Sequence, residues 1–143
     1  MKLQKGFTII ELVVVIAIIA VLSGIVISNI STSRNKGKDA AARGNLQSLT
    51  TAGIKYFETN GNYNGFPTST EANKINNALT DSKMGYTSPT YTCNSSGASC
   101  NSNNDSAWCA QITLKASTNT YCVSSSGKKL ERAGGTCAAG VCN

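Results

Sequence analysis

Apolar positions are spread very unevenly along this chain. Between Phe7 and Ile30, 18 of 24 residues are apolar, the run Leu12 to Leu22 is unbroken, and the 22 residues from Leu12 to Ser33 carry no charge. A helix rises about 1.5 Å per residue, so about 20 such residues suffice to cross a bilayer. Beyond this run the pattern changes period. Ala42, Leu46, Leu49, Gly53 and Phe57 recur at intervals of three and four, which draws one stripe on a helix, and no proline occurs before Pro67. The simplest prediction is a single helix from about Phe7 to Thr59, with a membrane-type part over 7–33 and an amphipathic continuation over 34–59. Gly24, Gly37, Gly44 and Gly53 each weaken it by about 1 kcal/mol relative to alanine.

Asn60-Gly61 and Asn64-Gly65-Phe66-Pro67 are turn signals that end the helix. Thr68-x-x-Glu71 reads as a capping box, followed by Ala72, Ile75, Ala78 and Leu79 on one face of a short helix over 69–80. From Thr80 to Ser106 the chain is rich in Ser, Thr, Asn and Gly, which predicts loop with at most one short strand near Tyr86 to Thr92, broken by Pro89. Past residue 107 the period becomes two. Trp108, Ala110, Ile112 and Leu114 alternate with Cys109, Gln111, Thr113 and Lys115, and Tyr121 and Val123 alternate with Cys122. With a third strand near Lys128 to Arg132, an antiparallel meander laid on the helix results. The expected class is α+β: a long helix packed in its second half against a small antiparallel sheet, with a loop region over 60–106 and a sheet and C-terminal loop over 107–143.

Composition sharpens this division. Of 143 residues, the 113 from Ser31 onward hold 38 apolar ones, and 19 of these are Ala or Cys. Burying a large side chain contributes about 1.5 to 3 kcal/mol while fixing each residue costs about 1 to 2, so so thin a core calls for covalent support. Cys93, Cys100, Cys109, Cys122, Cys137 and Cys142 all lie in the last 51 residues. An even number crowded there reads as a disulfide framework formed in an oxidising compartment. No histidine is present and no C-x2-C pair occurs, which argues against zinc. Local bridges Cys93–Cys100 and Cys137–Cys142, with Cys109–Cys122 across the hairpin through a bulge, are the expected pairs; 15 connectivities are formally open and one longer bridge is a rival.

The formal charge is +6, and four bases fall between Arg34 and Arg43. Nucleic acid is a conceivable partner for them, but without interleaved aromatics they read as a solvated helix face near a membrane. Seven scattered acids and no histidine assemble no nucleophile and base, so no catalytic residue is named and the chain does not read as an enzyme. Asn101, Asn103, Asn104 and Asp105 resemble a calcium loop only in oxygen content and read as polar loop. No metal or cofactor is expected.

The N-terminal residues carry a more specific signal. A cleaved secretory signal would explain Lys2 and Lys5, but Glu11 stands at the front of the apolar run and no small-x-small site follows. A plain membrane anchor has no use for Glu11, which costs about 2.5 to 3.5 kcal/mol at a helix centre. Gly6-Phe7-Thr8-Ile9-Ile10-Glu11-Leu12 and the apolar run behind it closely resemble the class III signal of type IV prepilins and pseudopilins. The resemblance implies cleavage between Gly6 and Phe7 by an inner-membrane prepilin peptidase, and N-methylation of Phe7 by the same enzyme. It also implies assembly by helix bundling into a homo-oligomeric filament, Glu11 neutralising the freed amine of Phe7 on a neighbouring subunit. The partners would be the membrane before assembly, the pilus assembly machinery of the inner membrane and sister subunits. The destination would be the cell surface, with adhesion, motility or DNA uptake as the task. A minor pilin or a pseudopilin of a competence or type II secretion system is the alternative, although the calcium loop of the major pseudopilin is missing. Many relatives carry proline at the position of Ser28, and this chain does not. Bases lie on both sides of the run, so orientation rests on the cysteines, which place residues beyond 34 outside the cytoplasm.

Overall fold

A computed structural model of the chain describes residues 6–98, 100–135 and 137–143, with the side chains of 25–29 excepted. The Cα trace divides into two compact units, Met1–Asn35 and Lys36–Asn143. The first helix, α1, runs from Ile9 to Asn60 and contributes to both. It starts two residues later than the periodicity predicts, because Thr8 is its cap rather than its first turn, and it ends at the Asn60-Gly61 signal, where Gly61 takes φ 72°. The expected continuity through Gly37, Gly44 and Gly53 is observed.

In the second unit a 3-10 turn over Phe66–Thr68 leads into α2, Thr70–Thr80. Four strands follow: β1 Thr90–Cys93, β2 Trp108–Thr113, β3 Thr120–Ser124 and β4 Lys129–Arg132. They form one antiparallel sheet in the order β1-β2-β3-β4, with Ala110 opposite Tyr91 on one side and Val123 on the other. The fold is thus α+β, a long N-terminal helix packed against an antiparallel sheet. Pro89 does not break β1 but precedes it, as a residue without an N–H must at a strand start. The capping box falls one residue later than the spacing suggests. Ser69, extended at ψ 158°, accepts the Ala72 N–H and is the true cap of α2, while Thr68 Oγ1 donates back to Gly65 O.

The core lies between α1 and one face of the sheet. Ala42, Leu46 and Leu49 from the helix stripe are fully buried with Trp108, Ala110, Ile112, Leu114, Tyr121 and Val123, the inward set that alternation predicts. Phe57 departs from the stripe; it is part-exposed and stacks on Tyr63 with ring centroids 5.0 Å apart. Gly53 has a packing role that helix propensity does not reveal. A Cβ there would stand 2.7 Å from Trp108 Nε1, so the glycine is the notch that lets the indole lie against the helix.

A last hairpin, β5 Cys137–Ala138 and β6 Val141–Cys142, replaces the expected C-terminal loop. Its two-residue turn, Ala139-Gly140, has φ 47° and 75°, the left-handed pair of a type I′ turn. Gly140 is required twice, since a Cβ would also lie 2.7 Å from the Ala107 backbone.

Candidate functional site

Two regions carry chemistry, one in each unit. In the first, Thr8 and Glu11 close a reciprocal capping box: Thr8 N–H and Oγ1 both donate to Glu11 Oε2 at 2.8 Å, and Glu11 N–H donates to Thr8 Oγ1 at 3.3 Å. This Thr-x-x-Glu spacing is legible in the sequence, and it gives Glu11 a local partner that the reading of Glu11 as an amine counter-ion does not include. Every large apolar side chain from Phe7 to Leu22 is at least half exposed, and Phe7 itself is 93% exposed. Ser23 directs its hydroxyl back to Ile19 O at 2.7 Å, which satisfies it inside the helix. Such a surface is stable only against lipid or other apolar helices.

Among the described residues, no helix is long and apolar enough to cross a membrane. The apolar stretch with described side chains, Ile9–Gly24, is 16 residues, about 24 Å of helix against about 30 Å of bilayer hydrocarbon. The rest of the expected span includes 25–29, whose side chains lie outside the description. Lys2 and Lys5 also lie outside the described residues.

The second unit is organised by two internal carboxylates. Asp39, on α1 and 1% exposed, accepts from Lys115 N–H at 2.7 Å, Ala116 N–H at 2.8 Å and the Tyr86 hydroxyl. It ties the helix to the β2–β3 turn and to the segment before β1. Burial pushes its pKa up, but the hydrogen bonds from Tyr86, Lys115 and Ala116 outweigh burial and hold it below the usual carboxylate range. Burial and the bond to Asp39 push the Tyr86 phenol well above its ordinary value. Nothing local marks Asp39, which sits among the bases of 34–43 and whose partners are more than 40 residues away.

Asp105, fully buried, does the same for the loop of 94–106. Its two oxygens accept from the N–H groups of Ser95, Ser96 and Ser102 and from Ser96 Oγ, which likewise draw its pKa down against the upward push of burial. These donors occupy the carboxylate, so the Asn101–Asp105 segment is a loop built around an anion. The Arg43 guanidinium forms a two-pronged bond to Glu131, at 2.9 and 3.1 Å, and lowers the Glu131 pKa. That pair joins α1 to β4.

The six cysteines are all bonded, as Cys93–Cys100, Cys109–Cys137 and Cys122–Cys142. The local pair Cys93–Cys100 is as expected; Cys109–Cys122 and Cys137–Cys142 are not formed. Register explains the first correction. Cys109 stands opposite Ser124 and Cys122 opposite Gln111, so the two cysteines are diagonal rather than facing. The second follows from the β5–β6 hairpin, which lies on the outer face of the sheet and gives one sulfur to each strand beneath it. Cys109, Cys122 and Cys142 with Leu130 and Cys137 make a small second core there.

Comparison with known proteins accords with the N-terminal geometry. Residues 1–27 match the family described as the prokaryotic N-terminal methylation motif. Over 63 residues, 44% of this chain, the sequence is 39% identical to the type IV major pilin protein PilA of Myxococcus xanthus (strain DK1622). The matched stretch is 29% of that protein's length. No solved structure matches. The chain thus carries the prokaryotic N-terminal methylation motif on its capped N-terminal helix and is similar, over less than half of its length, to a type IV major pilin.

Proposed function

We propose that the chain is a structural subunit of a bacterial type IV pilus. In this reading prepilin peptidase cuts between Gly6 and Phe7, Phe7 is N-methylated, and α1 leaves the inner membrane to bundle with sister helices while the cystine-held sheet faces outward at the cell surface. The observation that carries it is the coincidence of the motif over residues 1–27 with a helix whose apolar side chains are exposed all round. A helix hydrophobic on every side must be enclosed, and identical helices enclose one another without limit when the contact is head-to-tail.

Cleavage removes Gly6, the residue before Phe7, and leaves a cationic amine at Phe7. Buried among helices, that amine needs a counter-charge, and Glu11 of a neighbouring subunit supplies it. The carboxylate then exchanges its Thr8 partner for the amine or serves both. Electron microscopy of cells carrying Glu11→Ala tests the assignment. Processed subunit retained in the membrane with no filaments is the expected outcome; filaments of normal number and length would refute the role of Glu11.

A further inference from the structure

Four sulfurs from four strands meet on the outer face of the sheet. Cys109 on β2 and Cys122 on β3 are diagonal neighbours, and Cys137 and Cys142 are direct partners across the β5–β6 hairpin. The bonds actually formed join sheet to hairpin, Cys109–Cys137 and Cys122–Cys142. The sulfurs of Cys109, Cys122 and Cys137 nevertheless all lie within 4.8 Å of one another, although Cys122 is bonded to neither of the other two. A second complete pairing, Cys109–Cys122 with Cys137–Cys142, closes two shorter loops, and forming it requires the diagonal pair Cys109 and Cys122 to be drawn together. Exposure distinguishes one member: Cys109, Cys122 and Cys142 are buried, and Cys137 is partly open to solvent.

We propose that Cys109, Cys122, Cys137 and Cys142 form one thiol–disulfide exchange site, attacked at Cys137 by the thiolate of a protein thiol in the compartment where the chain oxidises. A thiolate attacks one sulfur of a disulfide and expels the other, so access and proximity select the route. The incoming thiolate bonds to Cys137 Sγ and releases Cys109 as thiolate. Cys109 attacks Cys122 Sγ, forming Cys109–Cys122 and releasing Cys142. Cys142 attacks Cys137 Sγ in the mixed disulfide, forming Cys137–Cys142 and returning the original thiolate. Three bonds form and three break, with no net oxidation. Run in reverse, the cycle converts the short-loop pairs, whose closure costs least entropy in an unfolded chain, into the bonds that clamp the hairpin to the sheet. The partner is thus a catalytic thiol that is returned at the end of the cycle, and its point of contact is the exposed edge of the hairpin.

The full-length chain carrying Cys137→Ser isolates the middle step, because it places a free Cys109 thiol beside Cys122–Cys142. At pH 8 the thiol should move to Cys142. After trapping with N-ethylmaleimide in acid and cleavage with trypsin, the label appears on peptide 133–143, with 84–115 joined to 116–128. A label that stays on 84–115 at all times overturns the proposal. Should this variant lose the near-ultraviolet signal of Trp108, the unaltered chain with catalytic reduced glutathione decides the matter. Its peptides 84–115, 116–128 and 133–143 begin as one covalent unit, and release of a minor, constant fraction of 133–143 with an internal bond is expected while the Trp108 signal persists. Three peptides that remain joined, or that separate only in denaturant, overturn it.

Discussion

The two units invert each other. In residues 7–24 the apolar side chains are outside and the polar ones, Thr8, Glu11 and Ser23, are satisfied within their own helix. In residues 36–143 the buried set includes Asp39 and Asp105, each surrounded by donors from distant parts of the chain. Hydrophobicity alone therefore does not define a core; the supply of partners does. The second unit finds its partners in itself. The first must find them elsewhere, which in the proposed function means lipid and then sister helices.

The comparison breaks most readily at the cystines. Replacing Cys109, Cys137, Cys122 and Cys142 together by alanine removes both clamps of the hairpin. At about 2 to 5 kcal/mol per bridge, against a total stability of about 5 to 15, the second unit should unfold below 37 °C, as read by Trp108 fluorescence on heating. Asp39→Asn comes next. An amide turned toward the N–H groups of Lys115 and Ala116 leaves a buried donor unsatisfied, and a loss of about 2 to 3 kcal/mol is expected in urea unfolding, with the C-terminal half of α1 still helical.

Gly53→Ala is a sharper test, since helix propensity and packing predict opposite signs. Propensity favours alanine by about 1 kcal/mol, whereas a methyl group 2.7 Å from the indole forces a repacking that costs about 1 to 3. A lowered melting temperature is expected, and a raised one would mean that Trp108 does not lie in the notch. Acid gives the smallest and most graded effect. The folded pKa values of Asp39, Asp105 and Glu131 are all depressed, so their contribution is complete above the ordinary carboxylate range and is lost as pH falls through the lower folded values. Melting temperature should be flat from pH 7 to about 5 and fall below about 4, with a shallower fall in Asp39→Asn.

Local patterns in the sequence carry α1, α2, β2, β3, β4 and the N-terminal motif, because each is written within a few residues. The period of α1, the alternation of β2 and β3, and Glu11 at its distance from Gly6 are all of this kind. The long-range joins were hidden for the same reason. Asp39 looks like a solvated acid among bases until the β2–β3 turn arrives 76 positions later. The pairing of Cys109 and Cys122 depends on a register offset of two and on a six-residue hairpin whose only local sign is Ala139-Gly140. Gly53 reads as a weakness in a helix, and its value appears only when Trp108 lies beside it.

The central claim, that residues 7–30 serve assembly and residues 36–143 hold themselves together, is tested most directly by the intact mass of protein sheared from the cell surface. Removing residues 1–6 from 143 leaves 137. The account predicts a single species of that length, one methyl group heavier at Phe7 and six hydrogens lighter at the cysteines. A chain retaining Met1–Gly6, or one with free thiols, would contradict it.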